Sequence, residues 1–137
     1  MRRLIALVLT VGLVACGSDA TSPSASISGT WSLKTVNGAA LPFVVFASGT
    51  DKEEIVSDVF TLTANNASSG AFTQLTTFRI TQNGQVASQS LPDAGTYTLN
   101  GSAVTLQFNS DSSSVTGSWS GNTITVTENG LVGVYQR

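Results

Sequence analysis

Few residues in this chain could carry chemistry. There is no histidine, which removes Ser-His-Asp and Cys-His nucleophilic sites and most zinc sites together. Cys16 is the sole cysteine. No glycine-rich phosphate loop opens a helical pattern, because no helical pattern follows one. Glu53 and Glu54 are the one adjacent acid pair, and two carboxylates can share acid–base work only when they face one another. Successive residues of a strand point to opposite faces, so both are read as solvated. Asp58 alternates in step with Val56, Phe60 and Leu62, which allows it to point inward. A buried carboxylate needs partners, and Arg79 is a candidate, although its place between Phe78 and Ile80 sets it outward. A bulge or strand end that turns Asp58 to water is the favoured alternative. The residues therefore assemble no catalytic set, no metal set and no cofactor site, and the chain is read as non-enzymatic.

The elements that would position these residues are strands. From Ile27 onward the apolar period is close to two: Trp31 and Leu33, then Phe60 and Leu62, then Phe72 to Ile80 with Gln74, Thr76 and Phe78 on one face. Tyr97 and Leu99 follow, then Val104 to Phe108, Val115 to Trp119, Ile124 and Val126, and a last strand from Leu131 to Gln136. Asn83-Gly84, Asn100-Gly101 and Asn129-Gly130 are tight hairpin signals, since a type I′ turn needs positive φ at both central residues. Consecutive strands joined by short turns must be antiparallel neighbours. The expected fold is all-β: an antiparallel up-and-down meander of about eight strands closed into a barrel, which leaves no exposed edge. Two packed sheets are the alternative. The connection from Val36 to Glu54 is too long for a hairpin turn and carries Phe43-Val44-Val45-Phe46. It reads either as a short extra strand plugging one barrel end or as a flap over a ligand entrance.

Residues 1–15 read as an export leader. Arg2 and Arg3 precede an apolar run, Leu4 to Val14, that is too short to span a bilayer. Leu13-Val14-Ala15-Cys16 resembles the bacterial lipobox, cleaved before a cysteine that then carries lipid. An ordinary secretory signal with an incidental cysteine is the alternative, but lipidation explains a lone thiol in an exported chain. Residues 16–26 then form the lipidated Cys16 and a flexible tether of Gly, Ser, Asp, Ala, Thr and Pro. Past Cys16 the bases are Lys34, Lys52, Arg79 and Arg137 against eight acids, so nothing offers a basic patch for nucleic acid. The expected partner is the membrane, through the lipid on Cys16. Gly17 after the cysteine resembles the outer-membrane sorting pattern, so the domain is expected in the bacterial cell envelope, at the outer membrane and facing the periplasm.

Residues 27–137 resemble the lipocalin-like part of the calycin superfamily. The resemblance rests on Gly29-Thr30-Trp31-Ser32-Leu33, Val36-Asn37-Gly38, Leu41-Pro42, Gly95-Thr96-Tyr97-Thr98-Leu99 and Tyr135. It is similar in particular to small bacterial lipocalin-like lipoproteins, and it implies that Gly29, Trp31 and Arg137 close one barrel end, the cation lying over the indole. It also implies a small hydrophobic or amphiphilic ligand. An eight-stranded barrel is either filled by its own side chains or holds one small ligand. The candidate pocket residues are Phe43, Phe46, Phe60, Phe72, Gln74, Thr76, Phe78 and Tyr97, with Gln74 and Thr76 as the polar end. Two functions remain open: a non-catalytic binding barrel, or a protein-interaction or inhibitor scaffold with a filled core that touches an envelope protein through its loops.

Overall fold

The computed structural model describes residues 26–137; the leader, Cys16 and the tether up to residue 25 lie outside the described residues. The described chain is a run of strands: β1 (Gly29–Val36), β2 (Ala39–Ala40), β3 (Phe43–Ser48), β4 (Asp51–Asn66), β5 (Ser69–Gln82), β6 (Gln85–Asn100), β7 (Ala103–Phe108), β8 (Ser114–Ser120), β9 (Thr123–Glu128) and β10 (Leu131–Gln136). Every pairing is antiparallel. From β4 to β10 each strand hydrogen-bonds the next, and β1 closes the ring by pairing with β10 on one side and β4 on the other. The result is an eight-stranded barrel with two additional pieces.

Those pieces are β2 and β3. The short β2 pairs with β1, whereas β3 pairs with the first residues of β4. Residues 37–48 thus bridge the seam where β1 diverges from β4, and Leu41 and Phe43 pack against the core there. The expected extra strand exists, but it extends the barrel wall and does not plug an end. Asn83-Gly84 and Asn129-Gly130 have positive φ at both residues, as type I′ turns require. At the third hairpin Asn100 pairs with Ala103, so the loop is Gly101-Ser102 and only the glycine has positive φ.

Register shifts decide which residues enter the interior: on β1 the skip between Leu33 and Thr35 lets both Leu33 and Val36 face the core. The β4–β5 register skips a residue between Ile55 and Ser57, making Val56 a bulge that reverses the alternation. Below it Asp58, Phe60 and Leu62 point inward; above it Ile55 does, and Glu54 is turned to the outer face. Strand crossings rely on missing side chains as well. A Cβ at Gly95 would strike the Gln107 carbonyl and stand 2.8 Å from the Phe72 ring; at Gly70 it would stand 2.6 Å from the Tyr97 ring. Aromatic side chains cover bare backbone at both places.

The core is unequal along the barrel axis. Trp31, Leu62, Phe72, Tyr97, Val104 and Ile124 fill the end where β1 begins. The Phe60 ring stands 5.5 Å from Phe72 and 4.9 Å from Tyr135, and Phe72 stands 5.1 Å from Phe108. These edge and tilted contacts form a layer across the middle. Beyond it the other end is open. There β4, β5 and β6 run on past the remaining strands with β3 alongside, as a projecting four-stranded sheet.

Candidate functional site

The aromatic layer floors a cavity of about 140 Å³ at the open end. Leu33, Val36, Ile55, Val115, Val126 and Leu131 make apolar walls, and Phe60, Phe108 and Tyr135 the base. Alternation along β7 to β10, with the register shifts between Leu33 and Thr35 on β1 and between Ile55 and Ser57 on β4, places these side chains on the inner face. A second, more polar space of about 240 Å³ continues outward past Gln74, Phe108 and Glu128, lined by Thr76, Phe78, Asp93 and Asp111 among others.

Asp58 is the polar centre of the inner cavity. It is 5 % exposed, so the inward reading holds and the favoured turn to water does not, because the bulge falls at Val56 instead. Its Oδ2 accepts hydrogen bonds from the Tyr135 hydroxyl at 2.7 Å and from Gln74 Nε2 at 2.8 Å. Its Oδ1 is buried with no hydrogen-bond partner. Burial pushes the Asp58 carboxyl above the usual carboxylate range, against the pull of Tyr135, Gln74, the Thr76 hydroxyl and the Val59 amide. Burial also raises the Tyr135 phenol, and the facing Asp58 charge adds to it, so Tyr135 serves as a donor. At the rim, burial raises the Glu128 carboxyl and the charges of Asp111 and Asp58 raise it further.

Arg79 is not the partner of Asp58. Its Nε lies 2.7 Å from Glu54 Oε2, and Lys52 Nζ lies 2.9 Å from Glu54 Oε1. Glu54 is 5 % exposed and is not a solvated surface acid. The bulge carries it to the outer face, opposite Arg79 in the ladder. Hydrogen bonds from Arg79 and then Lys52 hold its carboxyl at about 2.

The candidates read from sequence separate by depth. Phe60 and Gln74 line the inner cavity; Gln74, Thr76 and Phe78 line the outer one. Phe72 is buried beneath the floor, and Tyr97 lies toward the opposite end, where it lines a separate space of about 180 Å³ with Ile27, Leu99 and Trp119 and its hydroxyl is buried without a partner. Phe43 packs against the core edge, while Phe46 is 55 % exposed on the projecting β3 and reaches neither cavity. Asp58, Tyr135 and Glu128 were absent from that set. The shared alternation of Asp58 with Phe60 is the signal for the first, and Tyr135 stands among the residues of the family resemblance; nothing local marks Glu128.

The filled end carries the indole. Trp31 is 0 % exposed and its Nε1 donates to the Ile27 carbonyl at 2.8 Å. The Arg137 guanidinium stands 4.6 Å from the ring centre and its Nη1 donates to the Ser26 and Ser28 carbonyls. Gly29, at φ 132, lies beneath that guanidinium.

A sequence model of the lipocalin-like domain matches residues 27–133. The chain belongs to the lipocalin-like family. No curated protein and no solved structure gives a significant match. Lipocalin-like barrels typically bind ligands and do not catalyse reactions. Within its cavity this lipocalin-like barrel offers one buried carboxylate, Asp58, over an aromatic floor. Among the described residues no three His, Cys, Asp or Glu side chains are grouped to hold a metal.

Proposed function

We propose that this lipocalin-like chain is a lipid-anchored binding protein of the bacterial cell envelope, moored through Cys16 and holding one small amphiphilic molecule in the open end of its barrel. The observation that carries the binding half is the cavity of about 140 Å³ lined by Asp58, whose Oδ1 is buried without a partner. A buried acceptor left unsatisfied costs about 1–3 kcal/mol, and a ligand donor would remove that cost. An engineered cavity of about 150 Å³ holds benzene, so the inner space suits one ring or a short alkyl chain. The anchoring half is supported by the leader and Leu13-Val14-Ala15-Cys16, and Gly17 favours the outer membrane, facing the periplasm.

Native mass spectrometry tests the binding half. Protein recovered from cells should carry one small molecule per chain or take one up from a panel of amphiphiles, and Val126→Phe, which fills the cavity, should abolish uptake. Equal uptake by the filled variant would overturn the assignment. Intact mass of the cell-derived protein tests the anchor: the expected species begins at Cys16 with acyl chains attached, and an unmodified Cys16 would refute it.

The scaffold reading retains one specific support. Val44, Phe46, Val86 and Leu91 are exposed on the projecting sheet, which suits contact with another envelope protein.

A further inference from the structure

The sign of charge around the cavity narrows its ligand. Both carboxylates lining the inner space, Asp58 and Glu128, are acids, and Asp93 and Asp111 join Glu128 around the outer space. No cation among the described residues lines either one. Lys52 and Arg79 are held by Glu54, Arg137 lies over Trp31 at the far end, and Lys34 is exposed on β1. Low-dielectric walls concentrate such a one-signed field. Asp58 adds an independent pointer to a ligand, a buried oxygen without a partner. Phe60, Phe108 and Tyr135 line the same space, which suits an aromatic or aliphatic body. A bare metal ion fits poorly, since the carboxylates are not grouped for coordination and most of the wall is apolar.

We infer that the ligand is a small organic ammonium ion, a protonated amine on an aromatic or short aliphatic body, whose N–H groups bond Asp58 while the body fills the apolar walls. This rests on the binding role proposed above and specifies its chemical class. The carboxyl of Asp58 must be ionised to hold the cation. Its neighbours are Gln74 and Thr76 on β5, Tyr135 on β10 and Glu128 on β9, with Asp111 in the β7–β8 loop and Asp93 on β6 farther out. All the titrating groups in that set are acids or a phenol. Acidification therefore protonates the site, and binding weakens as pH falls.

Isothermal titration calorimetry of the full chain with three probes of similar size tests this: phenethylammonium, 2-phenylethanol and phenylacetate. Phenethylammonium should bind at least about tenfold more tightly than the alcohol, the worth of a charge-assisted over a neutral hydrogen bond, and phenylacetate should not bind. Asp58→Asn should erase the preference for the ammonium over the alcohol. If that variant does not fold, Glu128→Gln should reduce the preference, and in the unaltered protein the preference should shrink on acidification. Equal binding of ammonium and alcohol would overturn the amine assignment and leave the binding role standing. Failure of all three probes to bind would overturn both.

Discussion

Glu54 and Asp58 lie on one strand, and their environments push them in opposite directions. Arg79 and Lys52 hold Glu54 at about 2, below its ordinary 4.5. A depressed carboxyl stabilises the fold above its unfolded value, and that contribution is lost as pH falls toward about 2. Burial raises Asp58 above 3.8; its contribution is full below that value and is lost as pH rises through the folded one. Urea unfolding followed from acid to neutral pH should separate them. In Asp58→Asn the loss of stability on raising pH should disappear, leaving the variant at least as stable as the parent at neutral pH. In Arg79→Gln the acid limb should move up toward the ordinary glutamate range. An unchanged acid limb in Arg79→Gln would mean that the ion group does not control Glu54.

At the scale of elements, the strand ladder was legible because burial on one face imposes a period of two. The same reasoning failed where that constraint lapses. Residues Gln85 to Leu91 show no alternation because both faces of that half of β6 are exposed, so no strand is legible there from periodicity. The bulge at Val56 was equally hidden: strict alternation placed Val56 beside Asp58, and nothing local distinguishes a skipped residue from a kept one. That slip is what buries Glu54 against Arg79. Gly29-Thr30-Trp31 was legible through family resemblance, and its physical role is now testable. Trp31→Ala should cost about 3–5 kcal/mol, as expected for emptying a large buried site. Arg137→Ala should cost about 1 kcal/mol, the size of an exposed cation–π contact. Chemical denaturation measures both, and equal losses would show that the guanidinium, not indole burial, closes the barrel.

Across the described residues, one end is closed by buried Trp31 and the other is open and prolonged. Scaffold and carrier are thereby divided along a single axis: rigidity comes from Trp31, Phe72 and Tyr97, and room comes from the layer above Phe60. The projecting parts of β3 to β6 have no opposing sheet. Eight exposed residues, Gln85–Pro92, reach about 27 Å at the usual strand rise with little apolar burial to hold them. Amides there should exchange through local opening, since regions with few buried contacts open far below the global free energy. Amides of Leu62, Leu106 and Ile124 should exchange only on global unfolding. Because β4 and β5 run continuously from the packed end to the projection, protection should fall along each strand, past Asp58 and Thr76, without a break between domains. An amine bound at Asp58 should raise protection at Asp58, Gln74 and Tyr135 while leaving Val44 and Val86 unchanged. Protection rising instead across β3 and the tip of β6 would place the ligand on the exposed sheet and return the function to a surface contact.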